Sequence, residues 1–341
     1  MKFVGADLHK KSIMFCVVSR TGVKTQVLQS TRILCSETHK IEQFFKSLGK
    51  FQVTVEATIG YDWFAALAEK FAERVVIAHA GKLRIIAEST RKTDKIDSRI
   101  LADFLALDMI PEAWRPTPRV RQHRSLVRRR CKLQSRITGI KNTLHAILTR
   151  YNADRTDLFT RLGRAQVAKL KLLEQERWLI EDLFEDLDQS LARLKKVDNR
   201  LAEFAADAPL VEREARAVLA TMPGVGVITI ETVLAELGDV QRFRCADAVV
   251  SFAGLDPGVR ESDGKRKDLK LSKSGSPLLR WILIQLAHRV KKKSPRWHRS
   301  FARISQRAGN KKATCAIARR LLLVIYAMLR DGSAYRLPAT A

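Results

Sequence analysis

Four carboxylates in this chain have the type and spacing for shared chemistry. Asp7 lies in the apolar run Phe3-Val4-Gly5-Ala6-Asp7-Leu8, and Glu56 closes a second run, Val53-Thr54-Val55-Glu56. Asp94 and Asp97 stand three apart at the head of an amphipathic stretch, so a helix carries both on one face. An acid at the end of an apolar strand costs free energy unless positive charge gathers it. The chain holds 63 Lys and Arg against 36 Asp and Glu, a formal charge of +27. A divalent cation held by the acids and working on phosphate is the simplest chemistry that joins these facts. Singly, each acid has a plainer reading: Asp94 as a helix N-cap, Glu56 as a turn cap. All four in suitable elements favour the metal.

A second constellation is the segment Pro257-Gly258-Val259-Arg260-Glu261-Ser262-Asp263-Gly264-Lys265-Arg266-Lys267. A serine in a mobile cationic loop can attack a phosphodiester if its hydroxyl is activated and the phosphate charge is neutralised. Most Gly/Ser/Asp loops are only turns, and the adjoining cations, continued by Lys270 and Lys273, argue more for DNA contact than for catalysis. His9 follows Asp7 by two residues and shares its face on a strand, so it could touch the site, although a structural or solvent-facing role is the default.

The elements that must position these residues follow from the hydropathy pattern. Strand-like runs at 2–8, 12–18 and 24–28 precede a helix over 38–48, a strand over 52–56, a helix over 63–71, a strand over 75–79 and a helix over 94–107. Three strands followed by alternating helices and strands make an α/β ribonuclease-H-like layout. Such a site takes one acid from the middle of the first strand, one from the fourth and the rest from the last helix, around one or two Mg²⁺ ions. Asp7, Glu56, Asp94 and Asp97 fall in that order.

Pro111, Pro116 and Pro118 break the pattern. From 120 to 204 the chain reads as helical with an interruption near 151–156. Leu183, Leu187, Leu191, Leu194, Val197, Leu201 and Phe204 form a coiled-coil-like seam, either an intramolecular hairpin or a dimer contact. Residues 111–150 hold eleven Lys or Arg and one acid, so Arg128, Arg129, Arg130 and Lys132 are candidates for phosphate binding. After 209, Met222-Pro223-Gly224-Val225-Gly226 between two helices resembles a helix-hairpin-helix turn, in which the N–H groups of Gly224 and Gly226 could hold phosphate; an ordinary helix connection fits as well. A helix near 246–252, a polar loop over 254–275 and three basic helices complete the chain. The longest apolar stretch, 321–329, is too short for the roughly 18 residues of a membrane span. The first residues run straight into a strand pattern without a leader, and five scattered cysteines suit a reducing cytoplasm.

The blocks Gly5-Ala6-Asp7-Leu8-His9-Lys10, Val55-Glu56-Ala57-Thr58 and Lys92-Thr93-Asp94-Lys95-Ile96-Asp97 resemble the one-ten family of bacterial insertion-sequence transposases, the DEDD transposases. So do Pro223-Gly224-Val225-Gly226, Phe252-Ala253-Gly254-Leu255-Asp256-Pro257 and Ser272-Lys273-Ser274-Gly275, and the likeness covers nearly the whole chain. It implies a RuvC-like domain over 1–110, a basic, coiled-coil-like region over 111–208 and a helical transposase domain over 209–341. The resemblance further implies that Asp7, Glu56, Asp94 and Asp97 bind Mg²⁺ and that Ser262 attacks DNA to form a covalent phosphoserine link. Partners would be donor and target DNA, a structured guide RNA and further copies of the chain, as a homodimer or homotetramer whose domains build each site jointly. Asp263 departs from the family, in which glycine usually follows the serine at once; Ser272 and Ser274 stand behind Ser262 as nucleophiles.

The resulting expectation is a cytoplasmic, nucleoid-associated recombinase in which basic helices at 120–150 and 276–320 hold nucleic-acid backbones and base pairing to the guide chooses the site. The alternatives are a metal-dependent structure-specific nuclease with Ser262 structural, and a non-catalytic nucleic-acid-binding protein.

Overall fold

Alternation along the first strand sets the architecture of the N-terminal half. The computed structural model describes residues 1–58, 60–86, 93–262 and 265–336. Strand β1 (Lys2–Leu8) turns Val4 and Ala6 to one face of a sheet, and Phe3, Gly5 and Asp7 to the other. Around it stand β2 (Ser12–Thr21), β3 (Lys24–Leu34), β4 (Phe51–Glu56) and β5 (Arg74–Ala78), in the order β3-β2-β1-β4-β5. The first three strands form an antiparallel meander, and β4 and β5 run parallel to β1.

Helices α1 (Thr38–Leu48) and α2 (Tyr61–Ala68) bury Phe44, Phe45 and Phe64 against Phe15 and Phe51 on the first face. A short α3 (Ala80–Ile86) follows β5, and α4 (Asp94–Ala106) lies on the second face, where its Ala102 and Ala106 meet Cys16 and Val18. The helix comes so close to β1 that a Cβ on Gly5 would lie 2.0 Å from the Ser98 carbonyl oxygen. The expected strand 2–8 and helix 38–48 have these bounds. The second and third strands run on to Thr21 and Leu34, and α3 was not foreseen, because Ala-Gly-Lys-Leu-Arg-Ile-Ile carries little helical signal.

The chain divides into two compact units, Met1–Arg115 and Pro116–Ala341. The second begins with α5 (Pro118–Thr149) and α7 (Glu174–Ala206), joined through α6 (Arg161–Ala168). Arg130 pairs with Asp198, Arg136 with Asp186 and Arg150 with Glu176, so the two long helices are antiparallel. Of the two readings of the leucine seam, the intramolecular hairpin describes this chain: Leu187 and Leu201 are buried within it, whereas Leu191 is 41% exposed and lies off the contact.

The remaining helices are α8 (Leu210–Ala220), α9 (Val227–Leu237), α10 (Ala246–Ala253), α11 (Pro277–Lys293), α12 (Pro295–Ala308) and α13 (Asn310–Asp331). They share a core that includes Leu219, Val233, Leu237, Val250, Leu283, Leu286, Ile317 and Leu321. Between α10 and α11, where a polar loop was expected, β6 (Pro257–Ser262) and β7 (Lys265–Leu271) pair antiparallel. Charged residues at most positions hide the apolar alternation of a strand here. The missed signal is Asp263-Gly264, a favoured two-residue hairpin connection that itself lies outside the described residues. Among the described residues, no helix is long and apolar enough to cross a membrane.

Candidate metal centre and nucleic-acid contacts

Two parallel strands and one helix bring the four acids to one cavity. β1 and β4 pair in register up to Ala6 and Val55, so Asp7 and Glu56 each stand one residue beyond the last pair, at the carboxyl ends of adjacent strands. Val53 and Val55 point into the aromatic core, which by alternation turns Glu56 to the face covered by α4. Asp94 and Asp97 occupy the first turn of α4, where the helix dipole favours negative charge. Thr93, not Asp94, caps this helix, its hydroxyl accepting from the Ile96 N–H at 3.3 Å. Asp94 is thereby released from the capping role. All four acids line one cavity of about 1220 Å³, together with His9, Lys10, Thr58 and Trp63.

Electrostatics inside the cavity are those of a crowded anionic site. Burial pushes the Asp7 carboxyl above its ordinary pKa; His9 opposes this, and Asp97 and Asp94 add to it. Asp94 is held below its ordinary value, a desolvation penalty being outweighed by His9 and Arg32. The His9 Nε2 lies 3.0 Å from Asp7 Oδ2 and 3.2 Å from Asp94 Oδ1, so one ring nitrogen bridges strand and helix. Arg32, from β3, donates to the other oxygen of Asp94 at 2.5 Å. Asp7, His9 and Asp94 offer ligand atoms within 4.8 Å of one another, and Glu56 and Asp97 complete the lining. A mostly carboxylate donor set, drawn from two strand ends and one helix turn, fits a hard divalent cation, whose charge would offset the crowding of the acids.

Sequence reasoning undervalued His9, treated as structural or solvent-facing by default, and missed Arg32. The period of two put His9 on the face of Asp7, but its reach to Asp94 depends on where α4 docks. Nothing local marks Arg32, 62 residues from its partner.

Two family models match the chain: one described as Transposase, of the DEDD type, over residues 4–153, and one described as Transposase IS116/IS110/IS902 family, over residues 216–303. The chain belongs to the IS110 family of insertion-sequence transposases. It is 28% identical over 302 residues to the insertion element IS110 43.6 kDa protein of Streptomyces coelicolor, covering 78% of this chain and 72% of that one. Over 97% of its length it is 22% identical to the transposase for insertion sequence element IS1328 of Yersinia enterocolitica, covering 98% of that protein. A pilin gene-inverting protein of Moraxella bovis is 24% identical, with 97% of this chain and 96% of the relative covered.

In this transposase the C-terminal blocks converge at the base of the β6–β7 hairpin. A Cβ on Gly275 would lie 1.7 Å from the Phe252 carbonyl oxygen, so this contact requires glycine. Ser272 donates to Asp256 Oδ1 at 2.5 Å and lies 3.2 Å from the Ser274 hydroxyl, and Arg280 binds the carbonyls of Ala253 and Gly275. The hydroxyl of Ser272 is thus committed to a clasp. Ser262 ends β6, with its backbone opposite Lys265; Lys265, Arg266, Lys267 and Lys270 follow along β7, and Lys273 lies just beyond it, exposed.

The transposase uses many of its α5 cations internally. Arg128 forms a two-point pair with the buried Glu236, Arg130 pairs with Asp198, and Arg124 binds the Ala235 and Glu236 carbonyls near the end of α9. Arg129 and Lys132 are exposed and make no ion pair among the described residues. Buried Glu231 joins His123 and Arg216, a network that the charge count gave no reason to expect. Gly226 is the N-cap of α9 and is exposed, whereas Gly224 takes φ +79° inside the α8–α9 turn.

Proposed function

We propose that this transposase cuts and rejoins DNA strands through Ser262, with Asp7, Glu56, Asp94 and Asp97 holding Mg²⁺. The observation that carries the reading is the convergence of four acids from β1, β4 and α4 on one cavity of a chain charged +27. The sheet order, with β4 and β5 parallel to β1, supports a ribonuclease-H-like, RuvC-like fold for the first unit. A Mg²⁺ ion bound there would neutralise charge on a phosphate oxygen. Asp7 and Glu56 would hold it from the strand ends and Asp94 and Asp97 from the helix, with His9 fixing the carboxylate of Asp7 relative to that of Asp94.

Ser262 would form an Oγ–P bond as the bond from phosphorus to a departing DNA oxygen breaks. The serine gives up its proton and the departing oxygen gains one. Attack by a different strand end reverses the exchange and releases the serine, so rejoining needs no outside energy source. The relative named as a pilin gene-inverting protein supports an outcome in which strands are rejoined as well as cut. In this reading residues 1–110 carry the acids, 111–208 a helical region and 209–341 the serine, and donor and target DNA are selected by a structured guide RNA. Arg129, Lys132, the β7 cations and the Gly224–Gly226 turn contact phosphates. The protein acts as a homodimer or homotetramer at the nucleoid.

The test is a denaturation-resistant protein–DNA adduct after incubation with Mg²⁺, element-derived RNA and donor DNA. The adduct should form with the wild type and vanish in Ser262→Ala. Cleavage with no adduct at all would assign the chemistry to the carboxylates alone and make the protein a metal nuclease.

A further inference from the structure

Helices α11, α12 and α13 line an open cleft of about 470 Å³ that the reading above leaves unused. Ile284 and Phe301 give it apolar walls, Asn310 and Thr314 polar ones, and Lys291 and Lys311 supply positive charge. A second cavity of about 810 Å³ shares Lys291 and Phe301 with the first and continues past Lys292 and Arg299. The aromatic ring of Phe301 thus borders both clefts of this groove. Lys291 Nζ lies 3.9 Å from the centroid of that ring, over its face, a cation–π contact from which an arriving phosphate would draw the ammonium and so open the ring to a base.

The charge around this groove is unfavourable in isolation. No Asp or Glu occurs between Asp268 and Asp331. Neither α12 nor α13 has an acid in its first turn, and both carry cations there instead, Arg296 in one and Lys311 and Lys312 in the other. Cations at the positive end of a helix dipole destabilise it. Lys291, Lys292, Arg299 and Lys311 make no ion pair among the described residues. A plain solvated face would mix signs; this one gathers a single sign around an aromatic cleft, which an arriving polyanion would neutralise.

We propose that this groove binds an unpaired nucleotide of a single strand, its base against Phe301 and its flanking phosphates on Lys291, Lys292, Arg299 and Lys311. The cavity falls within the roughly 300–1,000 Å³ of small-ligand sites, and a base stacked in a duplex could not enter it. Ser305 donates to the Asn310 Oδ1, leaving the Asn310 amide N–H groups to meet the edge of the base. The proposal rests on the reading of the protein as a nucleic-acid enzyme, but on neither Ser262 nor the four carboxylates.

The test uses the full-length protein with single-stranded ribo- and deoxyribo-oligonucleotides that carry one iodouracil, irradiated and mapped by peptide mass spectrometry. The cross-link should fall on α12 at Phe301; a ribo-only cross-link identifies the occupant as RNA, and a deoxyribo-only one as DNA. Because Phe301 also packs against the core, affinity is measured with Lys292→Gln/Lys311→Gln, which changes only exposed charge. That variant should bind single strands about tenfold more weakly, and its log–log salt slope should be shallower by about 1.4, roughly 0.7 for each lost phosphate contact. A strand made abasic at the iodouracil position should lose affinity as well. Cross-links confined to other helices, wild-type binding by the variant, or undiminished binding of the abasic strand would each overturn the pocket. Mg²⁺-dependent cutting of donor DNA without a cross-link on α12 overturns this inference alone, whereas failure to bind or cut any nucleic acid overturns the transposase mechanism too.

Discussion

Asp7 shows how a residue placed for the proposed metal site can lower stability at the same time. Its side chain is only 18% exposed, and its carboxyl is held above the ordinary value first by burial, then by Asp97 and Asp94 against the opposing His9. An acid with a raised folded pKa keeps its proton longer in the folded state. Its contribution to stability therefore falls as pH rises from the ordinary value through the raised one. At neutral pH the metal-free protein bears that cost, and a cation bound as proposed would remove it. With Mg²⁺ held as proposed, the wild type should gain Tm from the ion, whereas Asp7→Asn should melt no lower than wild type without metal and should gain nothing from Mg²⁺. DNA cleavage should fall by at least about a hundredfold, since even residues that only support a metal ligand cost about 10–100-fold. Thermal melts with and without Mg²⁺, beside a cleavage assay, check the three outcomes.

At the scale of elements, the site depends on how α4 meets β1. Gly5 has no side chain, so the helix backbone reaches the strand, and a methyl group would meet Ser98 and Ala102. Gly5→Ala should lower stability by about 1–3 kcal/mol through overpacking. It should also push Asp94 and Asp97 away from Asp7, so the Mg²⁺-dependent rise in Tm shrinks although no acid has changed; urea denaturation and metal-titrated melts measure the two effects. In the second unit, buried Glu231 links α9 to α5 and α8 by accepting from His123 at 2.8 Å and from Arg216 at 2.8 and 3.0 Å. Burial raises its pKa, but these two partners outweigh it and hold the carboxyl below its ordinary value. The stabilisation is complete above about 4.5 and is lost as pH falls through the depressed value. Glu231→Ala leaves Arg216 without one of its buried partners and should cost about 3–5 kcal/mol, read as a loss of Tm at neutral pH. The difference from wild type should narrow on acidification.

For the whole molecule, a charge of +27 predicts association governed by counterion release. Binding to duplex DNA should weaken linearly in log affinity with log salt, with a slope of about −0.9 for each phosphate neutralised, measured by fluorescence anisotropy over a salt series. Residues 111–150 should contribute less to that slope than their eleven cations suggest, because Arg128, Arg130, Arg136 and Arg150 are paired within the unit. Neutralising Arg129 and Lys132 should make the slope shallower by about 1.8, while Arg136→Gln should leave it unchanged.

Local pattern alone determined that Asp7 lies in one apolar strand and Glu56 closes another, that Asp94 and Asp97 share a helical turn, and that a basic helical region follows. Periodicity and charge are written residue by residue, so these features need no partner to be read. The strand order that sets β1 beside β4 is decided by tertiary structure, as are the reach of His9 and Arg32 to Asp94 and the diversion of α5 arginines to acids within the unit, Arg128 to the buried Glu236 among them. Each of these contacts joins residues distant along the chain, and its free energy depends on a docking geometry that no local window contains. The β6–β7 hairpin lies between the two cases: Asp263-Gly264 is a pair that favours a hairpin connection, but charges, dense in β7, hid the alternation that would have named the strands.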